Sequence, residues 1–325
     1  MTFSPQRHEG RKGKQKIFLA ILVSWRFKCA TPKENKMKSL QESTLGIVGL
    51  GLMGGSLAMA LRAGNACRSI IGVTRNAHTR HEALERGVVD VAGGELGLVA
   101  DADVIVLATP VHKIIEQLPQ VGLAARAGAV VMDFGSTKRD ILRAMQDLPA
   151  HVEPIGAHPM CGKETSGFES ADADLYRKAV FVLTPLERTS PETLTLAQSL
   201  AAVIGARPLV LEAERHDRIV AAVSHLPFVL ASTLMTTADE LAQADDLLYT
   251  LAASGFRDTS RLAASDTTMM LDILLTNRAN VAAAIRVSAQ HLRELADLIE
   301  SADEITLRSR LERAASSRRR LRFEN

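Results

Sequence analysis

Three short apolar runs in this sequence end in polar side chains that could handle a substrate. The first leads into Thr109 and Pro110, the second into the segment DFGSTK with Ser136, and the third into GAHPMCGKE with His158. Ligands of α/β proteins bind at the carboxyl ends of the strands, where these residues are expected. An imidazole with a pKa near 6.5 can accept a proton as an alcohol is oxidised, so His158 is a candidate catalytic base. A structural histidine in a loop containing Pro and Gly is an equally good interpretation of that position taken alone.

Two further polar segments interrupt the apolar second half of the chain. His225 lies in VSHLP, where a proline follows a polar pair inside an apolar helical pattern. The segment GFRDTSR places Asp258 between Arg257 and Arg261, which suits a carboxylate clamp held by an internal ion pair. A buried structural histidine and a solvated loop explain the two segments equally well when each is taken alone.

A glycine-rich turn near the start of the chain predicts a dinucleotide site. The sequence LGIVGLGLMGGS combines a strand, the pattern G-x-G-x-x-G and the start of a helix. Gly49 allows the tight turn, Gly51 lets the backbone approach a pyrophosphate, and Gly54 lets the helix pack closely on the strand. The helix N-terminus presents free N–H groups to the anion. The other cofactor-binding positions expected in this turn and at a later strand end are Leu52, Met53, Thr109 and Pro110.

The end of the second predicted strand favours NADP over NAD. An NAD enzyme commonly has an acidic residue there that binds the ribose 2′-hydroxyl. This chain has Thr74 followed by Arg75, and a hydroxyl beside a guanidinium suits a 2′-phosphate. We therefore expect NADP as the cofactor, with NAD as the alternative if Arg75 is only a surface residue.

The elements that must position these residues alternate between strands and helices. Predicted strands cover residues 45–50, 69–73, 104–108, 129–133, 179–183 and 208–211, and predicted helices cover residues 53–63, 76–86, 111–124, 138–146 and 191–204. Such alternation predicts a parallel sheet covered by helices on both faces. The strands stop near residue 212, and Asp266 offers an N-cap for one long helix that reaches Ile299.

We therefore expect an α/β Rossmann-type dinucleotide-binding domain over residues 44–211, followed by an all-α substrate and dimerisation domain over residues 212–305. Helices this rich in Leu, Ile, Val and Met predict packing against a second copy of the chain, as a homodimer. Residues 1–43 form a basic extension and residues 306–325 a basic tail, and solvated, poorly ordered ends are the preferred interpretation of both.

The first 36 residues differ in character from the rest of the chain. The apolar run Ile17–Trp25 after a basic stretch imitates a signal peptide, but Arg26 and Lys28 stand where a cleavage site would be. We favour an artefactual or disordered extension, with a targeting segment as the alternative.

Composition argues against several other classes of protein. Aromatic residues make up 4% of the chain, too few for a base-stacking platform, so we expect no nucleic-acid partner. Three cysteines without a CxxC pair predict neither a disulfide framework nor a metal site and favour a reducing, cytoplasmic compartment. No contiguous apolar run approaches the roughly 18–20 residues of a membrane span, so we expect no membrane partner.

The polar segments, taken together and in order, indicate a protein family more specifically than any one of them alone. The segments GLGLMGGSLA, ATP, DFGSTK, GAHPMCGKE, SHLP and GFRDTSR occur in one order and at spacings like those of the prephenate/arogenate dehydrogenases. The chain resembles that family from about Leu45 to about Ile299. The resemblance implies a small-molecule substrate and an NAD(P)-dependent oxidative decarboxylation of a cyclohexadienol in tyrosine biosynthesis. By the same resemblance, His158 is the catalytic histidine that hydrogen-bonds the substrate hydroxyl, and Ser136 orients that hydroxyl and the nicotinamide.

The resemblance also implies roles for the substrate-binding positions. His225 and Arg261 match residues that bind substrate, with Arg261 gripping a carboxylate and Asp258 supporting it. Glu164 matches an acid near the mouth of the pocket. Lys163 departs from the Thr or other small residue that the family often has there, so no role is carried over to it.

Several alternatives stay open at the level of sequence. Prephenate is the preferred substrate, and arogenate is the alternative that an NADP preference mildly favours. The β-hydroxyacid dehydrogenases also begin with GLGxMG, but the helical region here lacks their K-x-x-N pattern. A protein that senses NADP without catalysis would keep the fold, yet it would have no need of His158, Ser136 and Arg261 together.

Overall fold

An eight-stranded sheet with helices on both faces forms the first part of the fold. The computed structural model describes residue 1, residues 37–163 and residues 165–321. Strands β1 to β8 are Thr44–Val48, Ser69–Val73, Val91–Gly93, Val104–Leu107, Val130–Asp133, Glu153–Pro159, Val180–Pro185 and Arg207–Val210. Helices α1 to α5 are Leu52–Ala63, Ala77–Glu85, Val111–Ala124, Arg139–Gln146 and Pro191–Val203.

The sheet has the strand order β3-β2-β1-β4-β5-β6-β7-β8. Strand pairs from β3 to β6 are parallel, but β7 runs antiparallel to β6, and β8 is parallel to β7. The expectation of an entirely parallel sheet is therefore wrong for its last two strands. Residues 160–179, which join β6 to β7, contain no helix among those described, and an antiparallel neighbour needs no helical crossover.

Two apolar clusters pack on the sheet. Strand β4 sends Val104 and Val106 into one cluster and Ile105 and Leu107 into the other. The first cluster contains side chains of α1 and α5, and the second contains side chains of α3 and α4. Burial on both faces explains why the central strands are continuous apolar runs rather than alternating ones. It also fixes the carboxyl ends of β1, β4 and β5 at one edge of the sheet.

Helices alone make up the second part of the fold among the described residues. Helices α6 to α11 are Ala213–Val220, Leu226–Ala242, Ser254–Ser260, Thr267–Thr276, Arg278–Glu300 and Glu304–Arg320. A π-helical turn, Ala221–His225, joins α6 to α7. The Rossmann-type domain followed by an all-α domain is thus confirmed as the fold class.

The predicted long helix that reaches Ile299 is two helices. Asp266 caps α9 as expected, since its carboxylate accepts a hydrogen bond from the Met269 N–H at 2.7 Å. The helical run breaks at Asn277, a buried residue with φ −113° and ψ 25°. Its side chain bonds to groups on other elements, so the break has a tertiary cause that periodicity does not show.

Both ends of the described chain differ from the expected poorly ordered segments. Residues 304–320 form α11, which packs on α10, and Arg310 bonds to Glu294 at 2.6 Å. Leu40, inside the predicted extension, is buried in the core. The predictions for residues 2–36 lie outside the described residues.

One helical segment among the described residues is long and apolar enough to cross a membrane by length and composition alone. It is Ala213–Ala242, with a mean hydropathy of 1.7 in its most apolar window, of which 22% is buried. Polar residues interrupt this segment, so it contains no contiguous apolar run of that length. Interior helices of soluble proteins can meet the same criterion, so this feature alone is weak evidence of a membrane span.

Candidate active site

The glycine turn between β1 and α1 has the geometry of a dinucleotide cradle. Gly49 has φ +97°, and its N–H donates to the Val73 carbonyl at 2.8 Å. A Cβ on Gly54 would lie 1.9 Å from the Gly49 carbonyl oxygen, so only glycine fits there. A Cβ on Gly51 would meet no atom within 4 Å, so the backbone has open space for a ligand. These residues fit a pyrophosphate at the N-terminus of α1.

The other predicted cofactor positions border the same edge of the sheet. Leu52 begins α1, and the Met53 carbonyl accepts a hydrogen bond from the Tyr176 hydroxyl at 2.5 Å. Pro110 precedes α3 directly after β4, and Thr109 Oγ1 donates to the Gln117 side chain at 2.8 Å. Because β1 and β4 are parallel neighbours, both strand ends face the cradle from adjacent positions.

Two guanidinium groups lie at the end of β2. Arg75 is exposed beside Thr74, as the sequence predicts. Arg80, on α2, donates through Nη1 to the carbonyl oxygens of Thr74 at 2.8 Å and Arg75 at 3.0 Å. Arg80 was absent from the predicted site, although it stands only five residues after Arg75. The strand end thus carries two positive charges.

His158 is connected to two residues of the helical domain. It lies within β6 rather than in a loop, and it is half-buried. Its Nδ1 lies 2.8 Å from Nε2 of His216, whose Nδ1 lies 2.8 Å from Oδ1 of Asp217. Both His216 and Asp217 are buried on α6. This relay, His158–His216–Asp217, links the two domains at the carboxyl edge of the sheet.

Asp217 fixes the proton positions along the relay. Burial pushes the pKa of Asp217 upward, but hydrogen bonds from His216 and from the backbone N–H groups of Arg139 and Lys138 outweigh it and hold the pKa below its usual value. The ionised carboxylate accepts the Nδ1 proton of His216. In the neutral relay, Nε2 of His216 accepts the Nδ1 proton of His158. Nε2 of His158 therefore keeps its lone pair.

The protonation state of His158 agrees with that arrangement. Burial lowers the pKa of His158 well below 6.5. Lys138, and His216 and His225 when they are protonated, lower it further by charge repulsion. His158 is therefore neutral at pH 7 and can accept a hydrogen bond.

A buried ion pair holds the turn that carries Ser136. Lys138 Nζ bonds to the carboxylate of Asp133 and donates to the Ala157 carbonyl at 2.6 Å. Asp133 Oδ2 also accepts the Gly135 N–H at 2.8 Å. Burial raises the pKa of Asp133 and lowers that of Lys138, and their mutual attraction opposes both shifts. The turn after β5 is thereby tied to β6 next to His158, with Ser136 half-buried at its centre.

His225 lies in the π-helical turn and is almost fully buried. Its Nδ1 is 3.3 Å from Nδ2 of Asn277, which also donates to the Asp217 backbone carbonyl at 2.6 Å. Burial lowers the pKa of His225 to about 4, with Asp217 opposing and His216 adding to the effect. Single-turn π-helical segments often occur at functional sites. Asp217 thus connects the surroundings of His158 and His225.

The remaining predicted substrate residues lie apart from this network in their described contacts. Asp258 and Arg261 are exposed on α8 and the 3₁₀ turn after it, which pack against α7. Asp258 accepts a hydrogen bond from Arg257 Nε at 2.9 Å. Glu164 lies outside the described residues. Lys163 bonds to Asp172 at 3.1 Å, on the segment that leads towards β7.

Comparisons with known proteins match both domains to one family. Residues 57–210 match the family described as prephenate dehydrogenase, nucleotide-binding domain, and residues 212–313 match prephenate dehydrogenase, dimerization domain. A prephenate dehydrogenase of Lactococcus lactis subsp. cremoris is 35% identical over 260 residues, which span 79% of this chain and 71% of that protein.

Two solved structures have the same architecture. Prephenate dehydrogenase from A. aeolicus, in complex with hydroxyphenyl propionate and NAD+, superimposes with a TM-score of 0.81 at 30% identity, covering 86% of this chain and 99% of that one. Synechocystis arogenate dehydrogenase has a TM-score of 0.73 at 33% identity, covering 85% and 98%. These matches decide against the β-hydroxyacid dehydrogenases as the family. The two matched domains and these relatives together establish that this chain belongs to the prephenate dehydrogenase family and is an NAD(P)-dependent oxidoreductase.

Proposed function

We propose that the chain oxidises prephenate to 4-hydroxyphenylpyruvate and carbon dioxide in tyrosine biosynthesis. The observation that carries this proposal is the relay that leaves Nε2 of His158 as an acceptor at the edge of the sheet where the dinucleotide cradle lies. A nicotinamide dinucleotide, when bound, supplies the acceptor for the hydride that leaves the ring carbon bearing the hydroxyl.

His158 handles the one proton of this reaction. As the ring C–O bond gains carbonyl character, the hydroxyl proton passes to Nε2 of His158. Asp217, acting through His216, stabilises the positive charge that forms on the imidazole. Decarboxylation makes the ring aromatic and supplies the driving force, so the protein mainly orients the reacting groups.

Five other residues are proposed to bind or position the substrate. Ser136 orients the hydroxyl and the nicotinamide from the turn after β5, and His225 donates a hydrogen bond from the π-helical turn. Arg261 grips a substrate carboxylate, since a guanidinium binds a carboxylate through two parallel hydrogen bonds. Asp258 supports Arg261, and Glu164 supplies an acid near the mouth of the pocket. The order of the family motifs supports these last three assignments.

NADP is the proposed cofactor. The end of β2 carries Thr74 and Arg75 in place of an acid, and Arg80 adds a second guanidinium beside them. Two positive charges favour a 2′-phosphate over a 2′-hydroxyl. Arogenate is the alternative substrate, because NADP use and arogenate use tend to occur together in the family.

We also propose that the chain acts as a homodimer through its helical domain. Ile285, Leu292 and Ile299 recur every seven residues on α10 and are all exposed in the single chain. Residues at this spacing lie along one face of a helix. A second copy would remove this apolar stripe from water. A cytoplasmic location stays a prediction from cysteine usage.

A turnover assay tests the proposed function. The purified full chain is supplied with prephenate or arogenate and with NADP or NAD, and both reduced cofactor and carbon dioxide are measured. Equal amounts of the two products from prephenate support the proposal. A higher kcat/KM for arogenate supports the alternative substrate. Binding of NADP without turnover of either substrate contradicts the enzyme assignment and favours a protein that senses the cofactor.

A further inference from the structure

We infer that Asn277 sets the tautomer of His225, so that His225 meets the substrate as a neutral Nε2–H donor and recognises an oxygen acceptor rather than an ammonium group. The inference rests on the proposed function only in taking His225 as a substrate-binding residue. It concerns the break between α9 and α10, which the sequence pattern did not predict.

The orientation of the Asn277 amide follows from its partners. Nδ2 of Asn277 lies 2.6 Å from the Asp217 backbone carbonyl, which can only accept a hydrogen bond. The atom that faces this carbonyl must therefore be the nitrogen of the amide. Oδ1 of Asn277, on the other side, accepts a hydrogen bond from Nδ2 of Asn280 at 2.8 Å. The carbonyl of Asp217 selects the orientation of the amide, and the Asn280 contact is consistent with it.

That orientation determines which nitrogen of His225 carries the proton. The second N–H of the Asn277 amide faces Nδ1 of His225 at 3.3 Å, so Nδ1 must offer a lone pair. A proton on Nδ1 would place two donors against each other in a buried site, where an unsatisfied donor costs about 1–3 kcal/mol. Neutral His225 therefore carries its proton on Nε2, and protonation of the ring is disfavoured.

The charged groups around His225 oppose one another. Asp217 raises the pKa of His225, whereas His216 and burial lower it, and burial is the largest influence. Asn277 disfavours the protonated form of His225, as burial does, although it carries no charge. The result is a donor that stays neutral across the physiological range.

A neutral donor restricts the chemistry of the group that it can bind. An N–H donates to a carbonyl, carboxylate or hydroxyl oxygen, whereas an ammonium group offers only further donors. Whatever part of the substrate lies against His225 must present an oxygen. Asn277 is thus a positioning residue: it acts on the substrate through His225.

The test is a nitrogen-15 NMR measurement of the imidazole rings in the full chain without substrate. The His225 signals are assigned by their loss in His225→Gln. In the wild type, Nδ1 should have the shift of an unprotonated nitrogen and Nε2 that of a protonated one from pH 5.5 to pH 9. A protonated Nδ1 in the wild type overturns the inference without any variant at Asn277.

The matched variants are Asn277→Asp and Asn280→Ala. A carboxylate at 277 offers no N–H, so Nδ1 of His225 should become protonated at pH 7. Where the ring is neutral, Nε2 then lacks its proton, and KM for the substrate should rise roughly tenfold, the value of one hydrogen bond. Asn280→Ala removes only the partner of Oδ1 and should leave the His225 signals unchanged. Unchanged His225 signals in Asn277→Asp overturn the inference. Because these spectra need no substrate, they separate the inference from the proposed function, whose failure would show only as absent turnover in the wild type.

Discussion

Asp217 contacts the surroundings of both histidines through two different groups. Its carboxylate accepts the Nδ1 proton of His216 and so leaves Nε2 of His158 as an acceptor. Its backbone carbonyl holds the amide of Asn277, which faces His225. The two imidazoles are thereby placed in opposite states, one accepting and one donating at Nε2. A substrate whose hydroxyl loses a proton while its other oxygens are bound needs one hydrogen-bond acceptor and one donor.

Replacement of Asp217 by Asn should disable the relay. The carboxylate accepts from His216 and from the backbone N–H groups of Lys138 and Arg139, so the amide must set its own N–H against one of these donors. The neutral amide also cannot stabilise the positive charge that forms on the imidazoles. We expect kcat to fall by about 10²–10⁴, the scale of acid–base catalysis and of the corresponding change in a Ser-His-Asp relay. Steady-state kinetics measures this, with Asp140→Asn as a control whose carboxylate contacts only Arg139 and Arg143 in the described contacts. A folded Asp217→Asn protein that keeps kcat within threefold would exclude the relay.

The two arginines at the end of β2 should distinguish the cofactors. Arg75→Ala and Arg80→Ala are each expected to raise the Kd of NADP about 10–100-fold, the loss of one charge-assisted hydrogen bond, and to change the Kd of NAD much less. Titration calorimetry with both dinucleotides measures the ratio. The matched control is Arg86→Ala, which should change neither Kd. Arg86 directly follows α2 and pairs with Glu82. An equal loss for NADP and NAD would show that these residues do not contact a 2′-phosphate.

The site was predictable where a residue lies at a strand end and missed where it acts through a partner distant in sequence. Ser136 and the glycines come after predicted strands, so the strand pattern alone located them. His158 lies inside β6, which the pattern did not predict, and only its motif GAHPMCGKE indicated it. His216 and Asp217 contact groups that lie 58 and 79 residues away along the chain, and periodicity carries no information on such distances. Both lie on the buried face of α6 beside Val220, and the largely polar sequence of that helix gives no sign of this burial.

At the scale of elements, two glycines in the turn from β1 into α1 have different roles. Gly54→Ala would place a Cβ against the Gly49 carbonyl, so the helix must move from the strand, and we expect both a lower Tm and weaker dinucleotide binding. Gly51→Ala meets open space and should change stability by less than about 1 kcal/mol, while its methyl group obstructs the pyrophosphate and weakens binding. Thermal denaturation and a dinucleotide titration of both variants measure this. Unchanged binding in Gly51→Ala would argue that no ligand approaches this backbone.

The elements that the sequence did not reveal share a physical cause. β6 contains Pro154, Gly156 and Pro159, which are unfavourable in strands, and it exists because β5 and β7 supply partners on both sides. The break at Asn277 depends on hydrogen bonds to α6 and to the π-helical turn. Helix α11 has no buried side chain, so its sequence resembles a solvated tail, and the pattern does not show its contacts with α10. Local propensity predicted the helices of the sheet domain closely because their apolar faces repeat regularly.

At the scale of the whole molecule, the helical domain should hold two copies together. The chain should sediment at twice its 35.1 kDa mass at micromolar concentration, because the stripe Ile285, Leu292 and Ile299 would otherwise remain in water. Leu292→Glu, at the centre of the stripe, should weaken the dimer. Leu123→Glu changes an even more exposed apolar residue on α3 of the sheet domain and should leave the dimer intact. A wild-type monomer at that concentration would refute the proposed assembly.

The central claim is that His158 accepts the proton of the substrate hydroxyl, and the kcat of His158→Asn tests it most directly. Asparagine keeps a polar side chain of similar reach but cannot take the proton, so kcat should fall by about 10²–10⁴ with little change in KM. The wild-type kcat should also decline as the pH falls through the lowered pKa of His158, well below 6.5, because the protonated imidazole cannot accept. That acid limb should be absent from the variant. If His158→Asn retains kcat within a few-fold and the same pH profile, His158 is structural and the proposed mechanism is wrong.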